Sequence, residues 1–370
     1  MSNSIETTVT TSVTHDGQTI TTTTTKTTVR PVLAKQRTPA AAAAAAAAST
    51  AAPLVDKRVA DLIQAGIGKH VTLIGFPYDI GVARNGGRVG ARDGPAAFFK
   101  LVRERRTGTA VNPELGVDLT TLGVGSLGLI EEGLSLEDAH AKLAAAVKQV
   151  LDAGQMSGSI PFVVGGGNDQ SYPNASALLS HLDGTNSSIG VINIDAHLDV
   201  RPRNAQNEVH SGTPFRQLLQ DERFIHGQSL SPATAPNFVE FAAQGSQCAQ
   251  SHADFVTDSG GAIVWLDAVQ ESVSAKACFV ETLNGMGGDR LFVSFDLDSV
   301  HGGDAPGVSC PSPMGLSARD ALEICFESGK NPRVALFDLS ELNPQIEEYR
   351  TARLTAMMFH YFLCGVASRV

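Results

Sequence analysis

Residues 188–200 read SIGVINIDAHLDV, a near-continuous apolar run that passes directly into three side chains able to bind a metal. Further runs of the same kind lie at 70–76, 160–166, 262–267, 290–298 and 333–340. Continuous rather than alternating apolar runs are typical of strands buried on both faces of a parallel sheet. Helical patterns separate them, most clearly from Ser135 to Gly154, where a serine N-cap precedes apolar residues at helical spacing. The alternation predicts an α/β sheet with helices on both faces.

Side chains able to bind a metal cluster where two of these runs end. Asp195, His197 and Asp199 follow the first run, and Asp296 and Asp298 close a later one. If the chain stays extended, alternation sends each set to one side, and the carboxyl ends of parallel strands meet at one edge of the sheet. Each acidic residue taken alone is more often a helix cap or a turn residue. Two such sets at strand ends favour a metal site instead.

The donor set indicates which metal. Carboxylates brought this close repel one another unless a cation neutralises them. Oxygen-rich ligation with a little imidazole suits Mn²⁺ better than Zn²⁺ or copper, and it suits iron less clearly. Two carboxylates able to bridge favour a two-metal site, with the ions about 3.5–4 Å apart. The sequence therefore predicts a manganese centre.

Three further residues near strand ends are candidates for the same site. The stretch VVGGGNDQSY at 163–172 ends a strand in a glycine-rich turn that presents Asn168. His210 lies in HSGTPFRQLL, and this position suits a proton shuttle because imidazole titrates near neutral pH. Glu341 directly follows the apolar run at 333–340. Taken alone, His210 is more often a satisfied structural histidine, and Glu341 a helix-start or solvent residue.

Composition excludes several classes of partner. The 370 residues are 42% hydrophobic and 18% charged, with a formal net charge of −10. This charge argues against a nucleic-acid surface, which needs clustered lysine and arginine. No apolar run approaches the roughly 20 residues that span a bilayer. Five scattered cysteines without a CxxC pair indicate reduced thiols and hence a cytoplasmic protein.

The N-terminal segment differs from the rest of the chain. Residues 1–55 are rich in threonine and alanine, with an unbroken alanine run at 40–48. Few large apolar residues precede Leu54, so burial cannot offset the entropy of ordering the segment. Acidic residues before the first arginine, Arg30, disfavour a transit peptide. We predict a disordered tail over 1–55 and a folded catalytic domain over 56–370.

Several longer stretches resemble a known family. They are the DAHLD and SFDLD elements, GVARNGGRVGARDGP (81–95), HSGTPFRQ (210–217), DAPGVSCPSPMGLS (304–317) and ELNPQIEEYRTARLTA (341–356). In these motifs the chain resembles the ureohydrolases, which comprise arginase, agmatinase and formimidoylglutamase, and it is most similar to formimidoylglutamase. The resemblance covers about residues 70–366, essentially the whole predicted domain.

The resemblance implies a fold and an activity. The fold would be the three-layer α/β/α arginase-like fold with a mainly parallel eight-stranded sheet. The activity would be manganese-dependent hydrolysis of a C–N bond in a linear amidine, and N-formimino-L-glutamate, from histidine catabolism, would yield L-glutamate and formamide. The resemblance also implies two Mn²⁺ ions per subunit, a small-molecule substrate and a homo-oligomer, either a trimer or a hexamer.

By position, the resemblance assigns roles to individual residues. The metal ligands would be Asn168, Asp195, His197, Asp199, Asp296 and Asp298. Asp195 and Asp296 would bridge the two ions, His197 and Asp298 would complete one site, and Asp199 and Asn168 would belong to the other. His210 would shuttle protons, and Glu341 would orient the amidine group of the substrate.

Asn168 departs from the family pattern, which has histidine after the glycines. Asparagine offers a neutral carbonyl oxygen, a weaker ligand than imidazole. We therefore expect one tight and one weak or absent metal. Two alternatives stay open: a hydrolase of another guanidino or amidino compound, agmatinase- or arginase-like, and a catalytically silent protein of this fold that acts through binding or assembly.

The two carboxylates of formimino-glutamate need cationic partners. Arg201 comes directly after the first ligand set, where arginases place a neutral residue. Arg84, Arg88 and Arg350 are further candidates. The planar guanidinium grips a carboxylate with two parallel hydrogen bonds. Ordinary ion pairing is the competing explanation for the last three.

Overall fold

The computed structural model describes residues 4–15, 18–29, 56–104, 107–131, 133–153, 158–232 and 234–369. The chain divides into two compact units, Met1–Val55 and Asp56–Val370. None of the described helices is both long and apolar enough to cross a membrane.

The first unit contains an antiparallel pair of strands, β1 (Ser4–His15) and β2 (Gln18–Val29). Ser4 lies opposite Val29, and His15 lies opposite Gln18. These strands differ from the predicted disorder, and long runs of β-branched threonine favour extended strands even where few apolar residues are available. The rest of the predicted tail lies outside the described residues, and its disorder stays a prediction.

A nine-stranded sheet forms the centre of the second unit, in the order β11-β10-β9-β12-β13-β8-β4-β7-β3. All neighbouring strands in it are parallel. Its strands are β3 (Ile63–Ala65), β4 (Val71–Phe76), β7 (Val124–Leu129), β8 (Ile160–Gly165), β9 (Ile189–Ile194), β10 (Phe238–Ala243), β11 (Ala262–Trp265), β12 (Arg290–Asp296) and β13 (Val334–Ser340). A separate antiparallel pair consists of β5 (Val111–Asn112) and β6 (Val117–Asp118). The parallel α/β fold is confirmed, and the short edge strand β3 raises the strand number from the expected eight to nine.

Helices cover both faces of the sheet. The helices are α1 (Ile80–Arg84), α2 (Gly94–Phe99), α3 (Leu136–Asp152), α4 (Ser171–His181), α5 (Pro214–Leu219), α6 (Glu222–Gln228), α7 (Gln250–Asp258), α8 (Leu266–Glu271), α9 (Ala275–Gly285), α10 (Ala318–Lys330) and α11 (Arg350–Ala367). One apolar core packs α2 and α8 to α11 against the sheet, and a second packs α3 to α7 against the other face. In β9, Val191 belongs to one core and Ile192 to the other, as expected for a strand buried on both faces. The three layers are therefore helix, sheet and helix.

This topology brings four chain segments together. Strands β9, β12, β13 and β8 are consecutive neighbours in the sheet. Because they are parallel, the residues that follow their carboxyl ends meet at one edge. Those residues are the DAHLD segment, the DLD segment, Glu341 and the glycine-rich turn with Asn168.

Candidate active site

The two predicted ligand segments turn as soon as their strands end. Strand β9 ends at Ile194, and Asp199 adopts a left-handed backbone conformation with a φ of 43°. The backbone N–H of His197 donates to Asp195 Oδ1 at 2.7 Å, and that of Asp298 donates to Asp296 Oδ1 at 2.9 Å. The expectation of an extended DxHxD segment is therefore wrong. The side chains converge because each first aspartate caps a turn of its own segment.

The predicted ligand side chains do converge. Asp195, His197 and Asp298 place ligand atoms within 4.8 Å of one another, and so do Asp195, Asp199 and Asp296. Asp195 is common to both groups. His197 Nδ1 lies 3.2 Å from Asp298 Oδ2 and 3.4 Å from Asp195 Oδ1. The arrangement consists of two overlapping sets of ligand atoms rather than scattered acidic caps.

Burial makes this cluster electrostatically costly. Loss of hydration and the charge of neighbouring carboxylates raise the pKa of Asp199, Asp296 and Asp298. Asp298 and Asp195 in turn raise the pKa of His197. Burial alone would raise the pKa of Asp195, but hydrogen bonds and the charge of His197 lower it overall. A bound cation would relieve the repulsion among these carboxylates, so the donor set fits a metal centre.

Asn168 is oriented opposite to expectation. Its Nδ2 donates to Asp199 Oδ2 at 2.9 Å and faces Asp195 Oδ2 at 3.4 Å. Its carbonyl oxygen accepts from the hydroxyls of Ser171 and Ser340, each at 2.9 Å. The amide points this way because hydroxyl donors lie on one side and carboxylate acceptors on the other. Asn168 therefore supplies hydrogen bonds to two predicted ligands, and its oxygen is turned away from them.

Glu341 is held at the same edge in a strained conformation. Its φ is 66°, and its backbone N–H donates to the Gly166 carbonyl at 2.7 Å. The side chain is buried, and Oε1 accepts from the Asn168 backbone N–H at 3.2 Å. Oε2 is buried with no partner among the described residues. Burial and the charge of Asp298 raise the pKa of Glu341. A cationic group bound at Oε2 would satisfy that oxygen.

His210 has both ring nitrogens engaged. Nε2 lies 3.1 Å from the Pro202 carbonyl oxygen, and Nδ1 accepts from the Gly212 backbone N–H at 3.2 Å. Burial lowers the pKa of His210, and Arg201 lowers it further. These contacts are those of a neutral, structurally satisfied imidazole, the alternative weighed above. The proton-shuttle role stays a prediction.

Two of the four arginines are occupied elsewhere. Arg84 pairs with Glu137 at 2.7 Å and with Glu208 at 3.3 Å. Arg88 donates to the backbone carbonyls of Ser309 and Val308 at 2.7 and 3.1 Å. Ordinary structural contacts therefore explain both.

Arg201 and Arg350 remain more available. Arg201 is exposed and donates to Asn85 Oδ1 at 3.3 Å, and no ion pair involves it in the described part of the chain. It lines a cavity of about 370 Å³ together with Arg203 and Arg216. Arg350 is exposed and lies 4.0 Å from Glu347.

Sequence reasoning missed the residues that orient the Asn168 amide, and it missed the partner of the neighbouring Asp169. Ser171 and Ser340 fix the Asn168 amide, although neither belongs to a ligand motif. Asp169 is fully buried and pairs with His140 Nε2 at 2.7 Å, a contact between positions 29 residues apart. Alternation along β13 could have placed Ser340 on the face of the site, but no local signal identifies His140.

The chain is similar to several known proteins. A family model described as Arginase family matches residues 69–365. A formimidoylglutamase of Ralstonia nicotianae is 30% identical over 308 residues, covering 80% of this chain and 85% of that protein. One of Rhodococcus jostii is 33% identical over 295 residues, covering 78% and 83%.

Solved structures extend the comparison. A crystal structure of Trypanosoma cruzi formiminoglutamase with Mn²⁺₂ is 45% identical, has a TM-score of 0.77 and covers 85% of this chain and all of that one. A variant of the T. cruzi protein in which histidine replaces one asparagine, also with Mn²⁺₂, matches equally well, with 99% of its chain covered. The formimidoylglutamase of Bacillus subtilis, at 22% identity and a TM-score of 0.73, shares the fold and covers 87% of this chain and 95% of its own.

Proposed function

The chain belongs to the arginase family, as its motifs predicted, and we propose that it is a manganese-dependent hydrolase of N-formimino-L-glutamate. The products would be L-glutamate and formamide. The observation that carries the proposal is the pair of overlapping ligand groups that share the buried Asp195. The formimidoylglutamases of Ralstonia and Rhodococcus and the manganese-containing T. cruzi structure support the choice of substrate and metal.

The ligand groups suggest how two ions would be held. Asp195, His197 and Asp298 would hold one ion, and Asp195, Asp199 and Asp296 the other. Manganese, when bound, would supply a water molecule activated for attack near neutral pH. The protein itself must hold the amidine, screen the reaction from solvent and transfer the two protons of the water.

Glu341 would bind the substrate cation. Its buried, unpartnered Oε2 needs a hydrogen-bond donor, and an amidinium N–H provides one while neutralising the charge. The water oxygen then bonds to the amidine carbon, and the carbon–nitrogen bond to glutamate breaks. Both protons of the water end on the departing nitrogen, which leaves as the ammonium group of glutamate, while the oxygen stays on formamide. His210 is the predicted proton carrier.

Arg201 is our proposed partner for the substrate carboxylates. It lies two residues beyond Asp199, and its guanidinium is exposed and takes part in no ion pair within the described ranges. The cavity that it lines carries two further arginines, Arg203 and Arg216, whose charges add positive potential beside Arg201. Arg350 is a second candidate, whereas the contacts of Arg84 and Arg88 argue against them.

One observation favours the alternative of a catalytically silent protein with this fold. The NH₂ group of Asn168 occupies acceptor sites of Asp199 and Asp195, so the second group has no fourth side-chain ligand from this turn. We expect the second ion to bind more weakly than the first. Assembly as a trimer or hexamer and a cytoplasmic location stay proposals from the resemblance and the composition.

A single comparison tests the proposal. Wild type and Asn168→His, both loaded with Mn²⁺, are assayed for glutamate and formamide release from N-formimino-L-glutamate, and calorimetry counts the ions per chain. Turnover by the wild type supports the hydrolase. Activity only in Asn168→His would show that this reaction has been lost through one residue, and inactivity of both would overturn the substrate assignment.

A further inference from the structure

A row of buried polar residues crosses the centre of the sheet. Glu240 in β10, Asn193 in β9, Ser294 in β12 and Asp338 in β13 are direct register partners from strand to strand. Each is completely buried. In a parallel sheet, residues in register project from the same face. The row therefore forms one continuous polar layer, and Asn193 lies two residues before the shared ligand Asp195.

Each end of the row pairs an acid with an amide. Asn193 Nδ2 donates to Glu240 Oε2 at 2.8 Å. Asn174, on the covering helix α4, donates through Nδ2 to Asp338 Oδ2 at 2.7 Å. Both distances lie at the short end of the usual N–H···O range.

The remaining oxygens of both pairs form a pattern. Glu240 Oε1 and Asn193 Oδ1 are both buried without a partner in the described part of the chain. So are Asp338 Oδ1 and Asn174 Oδ1. Each pair thus has two unsatisfied acceptors and no donor between them, although buried polar atoms are almost always hydrogen-bonded. One hydrogen on the acid would satisfy both oxygens of a pair at once, since a protonated carboxyl both donates and accepts.

We propose that Glu240 and Asp338 are neutral carboxylic acids, each closing a ring of two hydrogen bonds with its asparagine, and that the Glu240–Asn193 ring positions Asp195. In each ring the acid O–H donates to the asparagine Oδ1 while the asparagine N–H donates to the second acid oxygen. The protonation states are inferred from the buried contacts and do not depend on the proposed function. The positioning role rests on the proposed function.

The surroundings favour the neutral form at both sites. Burial, then the charges of Asp195 and Asp199, raise the pKa of Glu240. The nearby Cys248 thiol is uncharged, because burial raises its pKa to about 12. It therefore provides no charge that would stabilise an ionised Glu240. Burial raises the pKa of Asp338 to about 7. Its polar side-chain neighbours Asn174, Ser171 and Ser294 are all uncharged, and their hydrogen bonds lower the pKa less than burial raises it.

The row connects to the site at two points. Asn193 Nδ2 also donates to Asp195 Oδ2, at 3.2 Å. At the other end, the Ser171 hydroxyl lies 3.0 Å from Ser294 Oγ and donates to Asn168 Oδ1 at 2.9 Å. A free asparagine amide could rotate and present its oxygen to the ligand carboxylate. The ring with Glu240 prevents this, and so keeps an N–H directed at Asp195.

Matched substitutions test the ring. Glu240→Gln keeps both hydrogen bonds, because the amide accepts through its oxygen and donates through its nitrogen. Glu240→Leu fills similar space and removes both. We expect the Mn²⁺ dissociation constant, measured by calorimetry on the full chain, to change less than about twofold in Glu240→Gln but to rise about 10-fold or more in Glu240→Leu.

An infrared measurement tests the protonation directly and does not require metal or activity. In wild type carrying ¹³C-labelled glutamate, we expect a carboxylic-acid C=O band near neutral pH that is absent from Glu240→Gln. Absence of this difference band would overturn the neutral acid, even if Glu240→Leu failed to fold. Weakening of Mn²⁺ binding in Glu240→Gln as large as in Glu240→Leu would overturn the positioning role. A wild type that binds no Mn²⁺ would overturn the proposed function and the positioning role, while the band would still decide the protonation.

Discussion

Asp338→Asn should make the protein more stable at high pH by removing an acid that the fold holds in its neutral form. Burial raises the pKa of Asp338 to about 7 in the folded protein. In the unfolded chain an aspartate titrates near 4, about 3 pH units lower. Between these values the folded state keeps a proton that the unfolded state has released. The free energy of unfolding therefore falls as the pH rises through this window.

The size of the effect follows from the same two pKa values. About 3 pH units at about 1.4 kcal/mol per unit correspond to about 4 kcal/mol, present below about pH 4 and lost by about pH 7. Asparagine cannot ionise and keeps both hydrogen bonds to Asn174. We expect the variant to match wild type at low pH and to exceed its free energy of unfolding by up to about 4 kcal/mol near pH 8.

Urea unfolding of both proteins across this pH range, with a chelator present, measures the difference. The ligand carboxylates titrate in both proteins, so their contribution cancels from the difference in unfolding free energy. The side-chain partners of Asp338 are Asn174, Ser171 and Ser294, and none of them is a predicted ligand. A difference between variant and wild type that does not change with pH would refute the reasoning. The reasoning would also be refuted if the free energy of unfolding of the variant, minus that of wild type, were smaller near pH 8 than near pH 4.

The remaining predictions concern the site. Combined Ser171→Ala and Ser340→Ala substitutions remove both donors to the Asn168 oxygen, so the amide can turn that oxygen towards the ions. Calorimetry should then detect tighter binding of the second Mn²⁺, and unchanged binding would contradict this prediction. Glu341→Gln should lower kcat/KM for N-formimino-L-glutamate by about 10²–10³-fold with the bound Mn²⁺ unchanged, because the charge facing the amidinium is lost; a small effect would remove Glu341 from substrate binding. Arg201→Ala should raise KM about 10-fold or more with little change in kcat, as expected for a carboxylate partner away from the reacting bond; an unaltered KM would move that role elsewhere.

The sequence predicted most of the central sheet but missed strands whose patterns are interrupted. All six apolar runs identified at the outset became strands, β4, β8, β9, β11, β12 and β13. Strand β7 was missed because glycines at 125 and 128 break its apolar pattern. Strand β10 was missed because Glu240 lies at its centre. In both cases pairing with neighbouring strands stabilises a strand that the local apolar pattern does not predict. The sequence of one segment does not show which strands will pair with it.

The site was predictable where its determinants are local. Asp195, His197 and Asp298 could be identified because their order along the chain and the strand before them are visible in the sequence. The orientation of Asn168 was not predictable, since two serine hydroxyls from other segments decide it. Similarly, the turn that brings Asp195 and its neighbours together depends on backbone conformation rather than on alternation.

Glu240, which interrupts the apolar pattern of β10, also supports the metal site. A glutamate inside a completely buried strand opposes the local rule for strand formation, and it is tolerated only where a partner compensates for it. The compensation here is Asn193, the direct register partner of Glu240, which also donates to Asp195. The same holds at the other end, where Asp338 interrupts β13 and contacts the serine that orients Asn168. The two acids therefore occupy the places where the sheet gives up apolar packing to hold the ligands in position.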